Sequence, residues 1–278
     1  MNFSPDLLPL ARMPLPTLLA IGGVSAFVVI ALAYSNWRAA VKTAFVLVLF
    51  EGAIRKWLLP QGQELVYFGK DVLLIGAYIK FFLSPDPDLR AWRLNAPVTA
   101  IVGLATLSGL SVLNPNVGSP LSALVGLKGY FMYLPMAFMM PFLFRNKEEL
   151  IRQATNYALL ATPICLLGFL QWQSDRFSVI NTFASGMAET GATGFGFGDK
   201  SRITGTFSYL TGHSTFVIFF SALHVALLLA RQSHLKRVWL MLNLPLLVAN
   251  GLMGGSRSSI YALVLVIGGI LFFSTTHK

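Results

Sequence analysis

The sequence predicts an all-α fold, a polytopic membrane helix bundle of about nine transmembrane helices with one long extracytoplasmic loop. Two observations carry the class. Of 278 residues, 55% are hydrophobic and only 12% charged, with a mean hydropathy of +0.67, well outside the range of ordinary soluble domains. Apolar runs of spanning length also recur along the whole chain, and the polar intervals between them are short except for one, at residues 173–206. The chain therefore reads as one transmembrane helical domain over residues 1–278.

The elements follow in order from the rule that about 20 mostly apolar residues cross a bilayer. Thr17–Tyr34 comes first. The segment before it lacks a basic start, an apolar core and a small-residue cleavage site, so this first span does the targeting itself. Ala39–Trp57 carries Lys42, Glu51, Arg55 and Lys56 and reads as a tilted or partly re-entrant segment. Val66–Leu83 and Pro97–Leu113 follow. Pro120–Phe144 contains Pro135 and Pro141, and Arg152–Trp172 contains Pro163, so kinks are expected in both. After the long loop come Phe207–Ala230, Val238–Gly254 with Pro245, and Ser258–Phe273. Gly251 and Gly255 form a small-xxx-small pair suited to close helix packing.

The net charge of +10 is scattered in short clusters between apolar runs instead of forming a stripe, which speaks against nucleic acid as a partner. Topogenic charge and anionic lipid or phosphate ligands account for it. Arg38 with Lys42, Arg90 with Arg93, Arg145 with Lys147, Arg231 with Lys236 and Arg237, and Lys278 fall on one set of alternate loops, which should be cytoplasmic. The long loop then faces the opposite side. The single cysteine, Cys165, permits neither an intramolecular disulfide nor a thiolate cluster. No metal-ligand spacing occurs, and no cofactor is expected.

Charges within spans are expensive and are functional candidates by default. Glu51 and Arg55 share a helix face at i, i+4 and can pair; Lys128, between Gly126 and Gly129, points into the bundle, with Glu51 or Asp71 as a structural partner. Arg55, Lys56 and Lys70 lie near the face of the long loop. Arg202 stands where that loop enters the next span, and Arg257 at the tight turn Gly-Gly-Ser-Arg-Ser-Ser. Several cations at one bilayer face suit a lipid diphosphate, since guanidinium binds phosphate in a bidentate fork; ordinary headgroup contact explains any one of them alone equally well. His213, Glu189 and Asp199 are weak candidates for a general base. The glycines of Gly191 to Gly198 fit no nucleotide loop, because Asp199 separates Gly198 from Lys200.

Three stretches together resemble the O-antigen ligase and O-antigen or exopolysaccharide polymerase superfamily of bacterial membrane proteins. Arg202-Ile-Thr-Gly-Thr-Phe207 is similar to its Arg-x-x-Gly-Thr-Phe segment after an extracytoplasmic loop, and Gly255-Ser-Arg-Ser258 to its Ser-Arg turn. Phe50-Glu-Gly52 through Arg55-Lys-Trp57, with Lys70-Asp71 downstream, resembles a subgroup near the exopolysaccharide polymerases. The resemblance implies a multi-pass glycosyltransferase of the bacterial inner membrane, with its long loop periplasmic. It would act on polyprenyl-diphosphate-linked glycans among membrane lipid, with other polysaccharide-assembly proteins as further partners. Catalytic roles would fall to Arg202 and His213, and diphosphate binding to Arg55, Lys56, Lys70, Arg202 and Arg257. A transporter or flippase of lipid-linked or anionic substrates, or a non-catalytic membrane subunit, are the rival readings. Family members are usually longer, with another large loop after the Ser-Arg helix. This chain is thus expected to be a fragment, to lack half of the site, or to receive it from another chain.

Overall fold

The computed structural model describes residues 15–60, 63–84, 96–110, 120–184, 200–230 and 233–276. It is all-helical, with no strand among the described residues beyond an isolated bridge at Ser201. Eleven α-helices occur among those residues: α1 (Leu15–Ser35), α2 (Trp37–Ala53), α3 (Gln63–Leu83), α4 (Ala96–Leu110), α5 (Pro120–Phe131), α6 (Leu134–Leu143), α7 (Lys147–Leu159), α8 (Ala161–Gln173), α9 (Leu210–Leu229), α10 (His234–Met253) and α11 (Arg257–Thr276).

Two expected spans divide where proline removes an N–H. The run Pro120–Phe144 breaks at Met132–Tyr133, just before Pro135, which cannot continue the ladder to Phe131. The run Arg152–Trp172 turns at Leu160, and Pro163 stands in the first turn of the helix that follows. Pro245 lies inside α10 without ending it. Three stretches are long and apolar enough to cross a membrane, by length and composition: Lys147–Gln173, taken through its turn, Leu210–Leu229 and Arg257–Thr275. The expected count of about nine is therefore not reached among the described residues. Charges in α2 and α3 and the 15-residue length of α4 set those helices apart from the three.

The chain forms two compact units, residues 1–44 with 69–143, and residues 45–68 with 144–278. In the first, Gly76 lets α3 meet α1 closely: a methyl there would sit 2.7 Å from Ala33 Cβ. Trp37 packs edge-on against Phe81, and Arg38 Nε donates to the Phe142 carbonyl at 2.9 Å. Lys128 pairs with Asp71, the second of its two expected partners, at 12% and 6% side-chain exposure. Tyr133, in the break between α5 and α6, donates to the other Asp71 oxygen at 3.1 Å.

In the second unit, α9 packs against α10, α11 and α7, and α10 against α8. Its core joins Leu49, Ala161, Ile164, Cys165, Phe216, Phe220 and Leu247. Asn146 caps α7 by accepting from Glu149 N, while Glu149 accepts from Arg145 N, a reciprocal arrangement that satisfies two otherwise orphaned donors.

Removing one member of a buried ion pair strands the other. Lys128→Met is expected to cost about 3–5 kcal/mol, and Lys128→Met with Asp71→Leu clearly less. Denaturant titration of the purified variants measures both.

Candidate functional site

The Arg-Ile-Thr-Gly-Thr-Phe segment is not an exposed edge but a plug in the core of the second unit. Ile203 is fully buried, and Thr204, Thr206 and Phe207 nearly so. Gly205 adopts a positive φ of 55°, the left-handed conformation that glycine takes without penalty. Irregular backbone at such depth must find partners for its polar groups. Gln171, at the end of α8, supplies most of them. Its Oε1 accepts from Gly205 N at 2.7 Å and Thr204 N at 3.2 Å, and its Nε2 donates to Ile180 O at 2.7 Å and Gly205 O at 3.2 Å. Asn181, in a short 3₁₀ turn at Val179–Asn181, ties this end of α8 to the loop by donating to Gln171 O and Asp175 O.

Cations approach the same segment from the end of α2. There the helix widens into a π-turn, Ile54–Leu58, closed by Leu59 N donating to Ile54 O at 2.8 Å. Such turns are rare and often accompany functional sites. This one turns two adjacent side chains inward. Lys56 Nζ donates to Gly205 O at 2.8 Å and Thr204 Oγ1 at 3.1 Å and lies 4.4 Å from the Trp57 ring centroid. Among the described residues no carboxylate pairs with it. Arg55 donates to Ser208 Oγ at 3.1 Å, stands 3.7 Å from Glu51 as the i, i+4 spacing predicts, and rests on Tyr67. Thr206 donates from its hydroxyl to Leu49 O. Gly52 is required by the same approach, since a methyl there would sit 2.6 Å from the Phe207 carbonyl carbon.

Arg202 reaches the turn between α10 and α11. Its Nε donates to Gly254 O at 3.0 Å and Nη2 to Gly255 O at 2.9 Å. Gly255 has a φ of 63°, so the Ser-Arg turn begins with a left-handed glycine. Arg257, the first residue of α11, is exposed two positions later. His213 lies in the first turn of α9, 1% exposed, with its ring 6.1 Å from that of Phe207. Neither ring nitrogen completes a hydrogen bond of ordinary geometry, although the Asn250 main chain stands beside it.

Of the expected site residues, Arg55, Lys56 and His213 surround one segment, of which Arg202 is the first residue, and Arg257 shares the turn that Arg202 holds. Lys70 belongs to the first unit, where it is buried. Glu189, Asp199 and the glycines from Gly191 to Gly198 lie outside the described residues. The two flanks of the long loop meet where Ala184 N donates to Ser208 O at 3.4 Å. Gln171 was not singled out by the sequence; its signal was an amide within the apolar run Leu-Leu-Gly-Phe-Leu-Gln-Trp. Arg55 and Lys56 turn their donors on the segment itself, while Arg202 keeps an Nη1 edge that bonds to nothing among the described residues. Comparison with family models, curated proteins and solved structures finds no match for this chain.

Gln171→Leu leaves the Thr204 and Gly205 N–H groups without their acceptor, which is expected to cost about 1–3 kcal/mol for each buried donor. Thermal unfolding of the purified variant measures the loss, and Gln171→Glu, which keeps the acceptor, should retain part of it.

Proposed function

We propose that this chain is a membrane glycosyltransferase that polymerises or ligates glycans carried on a polyprenyl diphosphate, working at the periplasmic face of the bacterial inner membrane. The observation that carries the reading is the junction of Arg202 with the Gly254–Gly255 turn. It sets a half-buried guanidinium with an unused edge beside the exposed Arg257. Two arginines at one turn suit the charge of a diphosphate.

In this reading a sugar hydroxyl of the acceptor attacks the anomeric carbon of the donor glycan, and the bond from that carbon to the diphosphate oxygen breaks. Arg202 and Arg257 neutralise the charge growing on the departing diphosphate, the electrostatic role that dominates such transfers. Lys56, Gln171 and Arg55 serve as struts that fix the segment holding Arg202, because positioning errors of a fraction of an ångström are costly to such groups. In this reading His213 takes the hydroxyl proton, which requires the first turn of α9 to open, since the ring is 1% exposed.

A bilayer setting is supported by apolar surface that no protein covers in the described structure. On α1, Phe27 and Leu32 are 72% and 66% exposed, and on α11, Tyr261 and Leu265 are 69% and 74% exposed. Contiguous apolar faces of this kind mark contact with membrane or protein. The rival transporter reading looked to Lys128 as a charge in a water path; its pairing with Asp71 gives that lysine a structural use instead.

Arg202→Ala and Arg202→Lys separate the roles of Arg202. Activity is to be measured as polymer length with a polyprenyl-diphosphate glycan donor in proteoliposomes, next to protein stability. Arg202→Ala should lower the rate by a factor of about 100 or more, the scale of losing one charge-stabilising donor. Arg257→Ala should lower it with little change in stability. Normal polymer from stable Arg202→Ala and Arg257→Ala proteins would remove the assignment.

A further inference from the structure

Past the end of α8 the chain makes a turn, Ser174-Asp-Arg-Phe-Ser-Val179, that shows apolar side chains to the outside. Phe177 and Val179 are 73% and 72% exposed, and Leu58, the last residue of the π-turn, is 70% exposed. The two segments are tied together where the half-buried Trp57 donates from Nε1 to Val179 O at 3.0 Å. A turn facing water would gain by folding such side chains inward. This one is held open by its own polar groups. Asp175 Oδ1 accepts from Phe177 N at 2.7 Å, Asp175 O accepts from Ser178 N at 3.0 Å and from Asn181 Nδ2 at 2.8 Å, and Thr182 Oγ1 donates to Val179 O at 2.8 Å. The turn is thus a fixed mount whose polar atoms bond within the protein while its apolar tips point away, and exposed apolar groups rimmed by polar residues mark a contact surface.

The level of these tips along the helices identifies what they touch. The stretch Lys147–Gln173 is long and apolar enough to cross a membrane and ends where the turn begins. A second such stretch, Leu210–Leu229, starts from the same end, because Gln171 bonds Gly205 and Ala184 N donates to Ser208 O. Tyr209, directly before it, is exposed. The tips therefore lie where two spans would leave the hydrocarbon. At that level tryptophan and tyrosine are favoured, with the ring on the apolar side and the polar tip wet. Irregular backbone is tolerated there, as it is not against lipid tails. The charges agree as well: the Arg176 guanidinium lies 5.9 Å from the Phe177 ring centroid, and Lys200 is exposed. Cations beside apolar tips suit a surface of phosphate headgroups over acyl chains.

We propose that the turn at residues 175–181, with Leu58, is an interfacial anchor that dips into the headgroup boundary of the bilayer, with Phe177, Val179 and Leu58 as its apolar tips and Trp57 as its brace. The anchor rests on the membrane setting argued above and is independent of the transferase chemistry. Its effect reaches the buried segment through two side chains. Asn181, which is part of the anchor, donates to Gln171 O at 3.1 Å, and Gln171 in turn holds Thr204 N and Gly205 N. The lipid surface thereby sets the depth of the segment that carries Arg202.

Nitroxide labels measure the depth directly. The native Cys165 is fully buried, so Phe177→Cys, Val179→Cys and, as a reference, Leu265→Cys each offer one accessible thiol in the full chain. The labelled proteins are reconstituted in vesicles of phosphatidylethanolamine and phosphatidylglycerol. Collisions with oxygen, which enters lipid, and with a nickel chelate, which stays in water, then give the depth of each label. Labels at 177 and 179 are expected about 5–10 Å into the headgroup boundary. The label at 265, midway along the stretch Arg257–Thr275, is expected near the centre of a core about 30 Å thick. Nickel collisions at 177 and 179 as frequent as for a nitroxide in buffer, with 265 protected, overturn the anchor and leave the membrane setting standing. A depth equal to that of 265 also overturns it. Labels at 177 and 179 shielded from oxygen and nickel alike are covered by protein, which refutes lipid as the partner. Nickel-exposed labels at all three positions remove the membrane setting and the anchor together.

Discussion

The main chain at Gly205 is the point on which the second unit depends. Its N–H and C=O are both buried, in a left-handed turn that no helix or sheet can supply with partners. Gln171 meets both groups, and Lys56 adds its ammonium to the carbonyl. Once this is required, other local features follow. Gly52 must lack a side chain so that Thr206 to Ser208 can pass. The end of α2 must widen into a π-turn so that consecutive residues Arg55 and Lys56 both reach the segment. Asn181 must hold the end of α8 so that Gln171 points at its targets.

The two units solve buried polarity in different ways. In the first, Lys128 and Asp71 neutralise each other, with Tyr133 satisfying a further carboxylate oxygen. Such a pair contributes little beyond its own desolvation cost but is expensive to break on one side. In the second, a lysine is held by a carbonyl, a hydroxyl and an indole face, with no carboxylate paired to it among the described residues. Its charge is spread over neutral dipoles and the ring. The gain is in geometry: each bond fixes the main chain of the segment that carries Arg202.

Much of this was legible in the sequence, because the relevant signals are local. Helical class followed from apolar runs, the helix breaks from Pro135 and Pro163, the Glu51–Arg55 pair from i, i+4 spacing, and Asp71 as one of two partners for Lys128. The gathering of Arg55, Lys56 and Arg202 rests in the sequence on an assumed common membrane face, but the contacts that hold them run to hydroxyls and main-chain carbonyls far along the chain. No spacing rule reports those. Gln171 escaped notice for the same reason, as an amide in an apolar run announces that it has a partner but not which one. The count of spans was less legible, since charges in α2 and α3 and polar residues in α10 depress hydropathy in helices whose polar side chains turn inward.

The place of Arg202 has an electrostatic consequence for the turn it holds. The end of α10 presents the carbonyls of its last turn, a region of negative potential that repels an anion, while the start of α11 presents N–H groups that attract one. Without Arg202, an anion arriving beside Arg257 would meet both. By donating to the carbonyls of Gly254 and Gly255, which follow the last turn of α10, Arg202 covers two such groups, and in the proposed site this would leave the α11 terminus and Arg257 to face the diphosphate. Lysine at the same position could carry the charge but not the two-pronged cover, since a single ammonium cannot present the planar fork that matches two neighbouring carbonyls. In the proposed site the arginine would therefore act on the potential even through the bonds it makes within the protein.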